Sequence, residues 1–156
     1  MISYIFFWFL IVAAAWCAWK ICVADFRRRI IPDAYSFPLM LMGLLVVVFF
    51  PWVCTISDAA VGAAFGYGLA AIAGFIFDYF LKRKNPDADS PIGMGDIKLM
   101  GAAGLWLGTW GLAAALILAC IGGYTWGLIQ KQKYIPFAPF LISGGILALI
   151  GMAFLL

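Results

Sequence analysis

Five stretches of this chain carry no charged residue: Met1–Trp19, Ala34–Ser57, Ala59–Phe77, Leu99–Gln130 and Tyr134–Leu156. A helix that crosses a bilayer needs about 20 mostly apolar residues. The pattern therefore predicts membrane-spanning helices. Four of the runs suit one helix each. The Leu99–Gln130 run is longer than a single crossing needs, and Gly108-Thr109-Trp110-Gly111 offers a turn inside it.

The charges between the runs divide them. Lys20 and Arg27, Arg28 and Arg29 follow the first run, Lys82, Arg83 and Lys84 follow the third with Lys98 soon after, and Lys131 and Lys133 follow the fourth. Pro51–Asp58 and Gly104–Gly111 contain no basic residue. Short cytoplasmic loops collect Lys and Arg, so the three basic clusters are assigned to the cytoplasmic side. Lys98 and Lys131 reach the same side only if the long run turns once. The expected fold is an all-α, polytopic membrane helical bundle, one membrane-embedded domain over residues 1–156. Six helices are expected near 3–24, 35–54, 59–81, 96–109, 111–130 and 138–156, with both termini outside. The 96–109 segment is short enough to be partly re-entrant. The first run lacks a basic stretch before it and reads as a retained helix, not a cleaved signal peptide.

Composition agrees. Of 156 residues, 67% are hydrophobic and 11% charged, against about 45–50% and ~25% in soluble domains. Histidine is absent, and no two of Cys17, Cys22, Cys54 and Cys120 form a Cys-x-x-Cys pair. A zinc site, a redox site and a disulfide framework are not expected, and no cofactor is called for. Gly62 and Gly66, and Gly101, Gly104 and Gly108, recur every three or four residues. That spacing lets membrane helices pack closely.

The seven acidic residues are all aspartates. Asp58 reads as solvated in an outer loop. Asp78 stands four residues before Lys82, the spacing of a helical ion pair. Asp87 and Asp89 lie in the turn-rich Asn85–Pro91 loop. Asp25 and Asp96 differ, because both fall at the cytoplasmic ends of predicted helices, and an acid beside a membrane segment is costly unless it functions. Asp96 belongs to Gly93-Met94-Gly95-Asp96, whose glycines suit close approach of a peptide backbone. Two carboxylates in a partly dehydrated site divide the work of peptide hydrolysis, one ionised to activate water and one protonated to donate to the carbonyl. Asp25 near a helix C-terminus and Asp96 near an N-terminus favours Asp96 as the ionised base. The plain alternative for Asp25 is an ion pair with Arg28 or Arg29.

At these residues the chain resembles the type IV prepilin peptidases, membrane aspartyl proteases of the Gly-x-Gly-Asp class. The resemblance rests on Gly93–Gly108, including Lys98, on Asp25–Asp33 with Pro32-Asp33 at its end, and on the proline-containing Ile135–Phe140 lead-in to the last helix. It implies cleavage of the short basic leader from prepilins or pseudopilins at the cytoplasmic face of a bacterial inner membrane, with Asp25 and Asp96 as the catalytic pair. Gly93, Gly95, Lys98, Pro32 and Asp33 would support them. Longer family members carry a cysteine-bearing region and N-methylate the product. This chain looks like a short, peptidase-only form, so methyltransferase activity is not expected. Asp33, Asp87 and Asp89 are candidates to attract the basic leader. The alternatives are a solvated loop for Asp87 and Asp89 and helix capping for Asp33. The implied partners are a prepilin-type substrate and the lipid bilayer, with no nucleic acid and no specified oligomeric state. Two rival classes stay open: a small transporter or ion-coupled protein, and an inactive assembly subunit of a pilus or secretion system.

Overall fold

The computed structural model describes residues 2–85, 90, 92–131 and 135–155, and its regular elements are all helices. There are five: α1 (Ile2–Arg28), α2 (Asp33–Phe49), α3 (Ile56–Lys84), α4 (Met94–Gln130) and α5 (Phe137–Leu155). Four of them, all but the 17-residue α2, are long and apolar enough to cross a membrane. Large apolar side chains such as Trp8, Phe75, Trp110 and Ile129 are exposed around the bundle. In water these would be an aggregation surface; facing lipid they carry no penalty. The chain is a multi-pass membrane protein.

The helix ends follow local chemistry. α1 runs past the expected residue 24 to Arg28 and stops where Arg29 turns left-handed at φ 52°. α2 begins on Pro32, whose carbonyl accepts the Tyr35 and Ser36 amides at 3.1 and 3.2 Å. It ends at Phe49, not 54, because the residue before a proline disfavours helix and Phe50, before Pro51, is extended. α3 starts at Ile56, where the Thr55 side chain accepts the Asp58 amide at 3.2 Å as an N-cap.

The sequence predicts six separate helices; five form, because the turn in the long run takes no loop. Helical bonding resumes on either side of a single residue, Gly108, at φ 66° and ψ −171°, a conformation open essentially to glycine alone. α4 is thus one element of 37 residues with a break. A straight helix of that length would extend about 55 Å. Instead Gly95 near its start packs on Ile31, and the Trp126 ring near its end lies 6.2 Å from that of Phe26. Both ends of α4 return to the same end of the bundle.

The break is held by groups from the α2–α3 connection and the start of α3. The Trp106 carbonyl, which loses its helical partner there, accepts Trp52 Nε1 at 2.7 Å. Asp58 Oδ1 accepts the Thr109 amide at 3.2 Å. Asp58 is therefore a cap on the second half of α4, not the solvated loop acid that its position suggested. α3 packs along α4 through glycines. A Cβ on Gly62 would lie 2.6 Å from the Gly104 carbonyl, and one on Gly66 would lie 2.5 Å from that of Met100. α1 packs on α2 and α5 but makes no close backbone approach to α4 among the described residues.

Candidate active site

Asp25 opens the last turn of α1, on the stripe that also carries Ala14, Ala18 and Ile21, and is 5% exposed. Burying a carboxylate is costly unless its oxygens are satisfied. Here Oδ2 accepts the Ala138 amide at 2.8 Å. Ala138 is the second residue of α5, so the carboxylate sits on the N-terminus of a helix 113 residues further along the chain. Pro136 and Pro139 carry no backbone N–H, so Phe137 and Ala138 are the free donors of this first turn, and they and the positive end of the dipole stabilise an acceptor. Nothing local to Asp25 reveals this partner.

Asp96 occupies the first turn of α4 and is half-buried. Its Oδ2 accepts the Gly93 amide at 3.1 Å, closing the first turn on itself. Asp25 is near enough for its charge to act on the Asp96 carboxylate. The α1 and α4 backbones stand apart, bridged near this end by the Phe26–Trp126 ring contact, and both acids lie at that end. Because both carboxylates sit on helix N-termini, helix ends do not assign the base between them, contrary to the expectation drawn from α1 and α4 alone.

The glycines before Asp96 divide their tasks. Gly93 is exposed, and a Cβ there would meet little besides the Asp96 carboxylate at 3.4 Å. Gly95 is not open to a ligand backbone: a Cβ there would lie 2.7 Å from the Ile31 Cβ. The missing side chain lets the α1–α2 connection seat on α4, next to the acid. Pro32 follows Ile31, and Asp33 accepts both contacts from Lys98 Nζ, at 2.8 and 2.7 Å. Lys98 also lies 5.2 Å from the Phe37 ring centroid. The structure thus brings Pro32, Asp33, Gly93, Gly95 and Lys98 to the same end as the two acids. Asp87 and Asp89 lie outside the described residues.

Asp78 makes the expected pair with Lys82 at 2.8 Å and also accepts Ser90 Oγ at 2.7 Å. Ile92 rests on Gly74, one turn before Asp78 on α3. These contacts guide the chain along α3 into the Gly93–Asp96 turn. The sequence pairs Asp78 with Lys82 by spacing, but no spacing rule pairs it with Ser90.

Deeper in the gap lies a cavity of about 250 Å³, lined by apolar side chains of α1, α2, α4 and α5 and by Trp52.

The Type IV leader peptidase family matches this chain over residues 4–128. The prepilin leader peptidase/N-methyltransferase of Dichelobacter nodosus is 28% identical over 133 residues, an alignment of 83% of this chain and 44% of that protein. The protein of the same name from Pectobacterium carotovorum is 30% identical over 135 residues, covering 82% of this chain and 46% of its own. The one from Escherichia coli K12 is 30% identical over 133 residues, covering 81% and 56%. The chain spans about half the length of the curated relatives it matches. No solved structure matches it.

Proposed function

Because this chain belongs to the type IV leader peptidase family, we propose that it is an aspartic endopeptidase that removes the basic leader from a type IV prepilin or pseudopilin. The reading places Asp25 and Asp96 as the catalytic pair at the cytoplasmic face of a bacterial inner membrane, within one membrane-embedded domain. One observation carries it: α1 and α4, whose backbones stand apart, bring two carboxylates to the same end of the bundle, each accepting from a backbone amide, and the charge of Asp25 acts on Asp96.

The chemistry follows from that arrangement. Two carboxylates in a site of low polarity hold one proton between them. The ionised one takes a proton from a water, and the water oxygen attacks the scissile carbonyl carbon. The protonated one donates to the carbonyl oxygen as the tetrahedral intermediate forms. Collapse of the intermediate returns a proton to the leaving amine. The amides of Ala138 and Gly93 fix the orientation of the carboxyl groups without serving as the proton source. The reading includes six membrane crossings, with α2 and each half of α4 counted separately and both termini outside. It covers hydrolysis without N-methylation. The basic residues Arg27, Arg28, Lys82, Arg83 and Lys84 all end their helices on the dyad's side.

The test is cleavage of a membrane-inserted prepilin-type substrate by wild type, Asp25→Asn and Asp96→Asn proteins reconstituted in lipid. The expected outcome is cleavage by wild type alone, giving an unmethylated N-terminus by mass. Near-normal cleavage by either variant would overturn the dyad.

A further inference from the structure

Between α1 and α4 the dyad occupies only the end of the gap. The cavity beyond it is lined by Ala14 and Ala18 of α1, Leu99, Ala103 and Leu107 of α4, and Gly145 of α5, among others. These positions continue the stripes that bear the acids. On α4, Leu99 and Ala103 follow Asp96 at three and seven residues, about 4.5 and 10 Å along the axis. On α1, Ala18 precedes Asp25 by seven. Leu141, also on the lining, is one turn beyond Ala138, whose amide holds Asp25. The cavity thus lies on the membrane side of the dyad, one to two helical turns from it, with the buried Ile21 between Asp25 and Ala18 on α1.

Its size limits what it holds. A cavity of about 250 Å³ is large enough for one or two side chains. Its lining is apolar apart from the Trp edges, and the Trp52 and Trp106 N–H groups are already bonded to Trp106 and Leu39 carbonyls. Nothing in it would solvate a polar group, while small residues on three helices leave the space open.

We propose that this cavity is a specificity pocket, which seats a large apolar side chain of the substrate on the membrane side of the cleaved bond. The inference rests on the aspartic peptidase reading above. The pocket extends to Leu107, eleven residues beyond Asp96, so it is reached from within about the first ten positions of a helical substrate segment, at 1.5 Å each. Seating a leucine-sized group in place of alanine is worth about 10–100-fold in kcat/KM.

The experiment compares substrates carrying Leu or Ala at each of those positions. Wild type is expected to prefer Leu at one or two of them by about 10–100-fold. Ala103→Leu, and independently Ala18→Leu, fill the cavity and should reduce that preference to within about 3-fold while retaining or raising the thermal unfolding temperature. A second measurement does not need turnover: a substrate with a photoreactive leucine analogue is crosslinked to Asp25→Asn protein and the adducts are mapped by mass spectrometry. Adducts on Leu99, Ala103 or Gly145 support the pocket. Adducts confined to lipid-facing residues, an unchanged preference in both filled variants, or a photoreactive acyl lipid that stays in the cavity when substrate is added would overturn it. Failure of wild type to cleave any substrate would instead overturn the peptidase reading, and the crosslinks would still report on the cavity.

Discussion

Three residues carry most of what is specific here. Asp25 and Asp96 act as one proton-sharing unit in the proposed mechanism, so their losses should not add. Each Asn variant should lose at least about 10³-fold in kcat/KM, and the double variant should be no more than a few-fold worse. Single-turnover cleavage would measure this. Gly108 bears a different load. At φ 66° and ψ −171° any other residue is strained, and a Cβ there would strike the Asp58 carboxylate. Gly108→Ala should destabilise by about 1–3 kcal/mol from the backbone alone, read as a lower unfolding temperature in detergent. Cys54, in the connection between α2 and α3, gives a pH signature. Burial, reinforced by the charge of Asp58, pushes its thiol up to about 11. Only the thiolate reacts, so its alkylation should be slow at pH 7 and rise about 10-fold per pH unit up to near that value. A rate that levels off near pH 8.5 would contradict the burial.

At the level of elements, the α3–α4 seam and the cap on the α4 break determine the fold. The small-residue spacing in the sequence showed which helices could approach closely, and Gly62, Gly66 and Gly104 do pack backbone to backbone. Gly104→Ala places a methyl against the Gly62 carbonyl and should cost about 1–3 kcal/mol. At Gly68 a methyl would find no neighbour within 4 Å, so Gly68→Ala should be neutral or gain up to about 1 kcal/mol from helix propensity. Equal effects at the two sites would remove the seam's role. Asp58→Ala takes away the acceptor of the Thr109 amide and should cost about 1 kcal/mol, whereas Asp58→Asn keeps an acceptor and should recover most of it.

Across the whole molecule, the gap between α1 and α4 unites the acids at one end with the apolar cavity at the other. Orientation in the bilayer decides which compartment supplies the substrate's leader. In a cysteine-free protein, Ser57→Cys, in the first turn of α3, should react with an impermeant thiol reagent added outside, and Lys84→Cys at the far end of α3 should react only after permeabilisation. The reverse labelling would move the dyad to the other face. The Asp33–Lys98 pair spans 65 residues but is exposed at its Asp33 end, so Lys98→Met should alter stability by less than about 1 kcal/mol. With Lys98 bound to it, Asp33 is also partly neutralised as an attractor of a basic leader.

The hydrophobic pattern alone determined that the chain is a bundle of membrane helices, because a charge-free run of about 20 residues has few other stable fates. The same pattern, with the placement of Lys and Arg, put a turn in the long run near Gly108–Gly111, where the break at Gly108 forms. Short-range features were legible for the same reason: Asp78–Lys82 lies within one helical turn, and the glycine spacing repeats along one helix face. The tertiary structure alone decided the partners. The Ala138 amide that holds Asp25, the Thr109 amide capped by Asp58, the Lys98 that binds Asp33 and the Ile31 that fills the space above Gly95 are each 51 or more residues away in the chain. No periodicity encodes such contacts, because they depend on how whole helices pack. The merging of two expected helices into α4 and the space between α1 and α4 come from the same packing: a single left-handed glycine replaced a loop, and the α1 backbone docks on α2 and α5 while touching α4 through side chains such as Phe26 on Trp126.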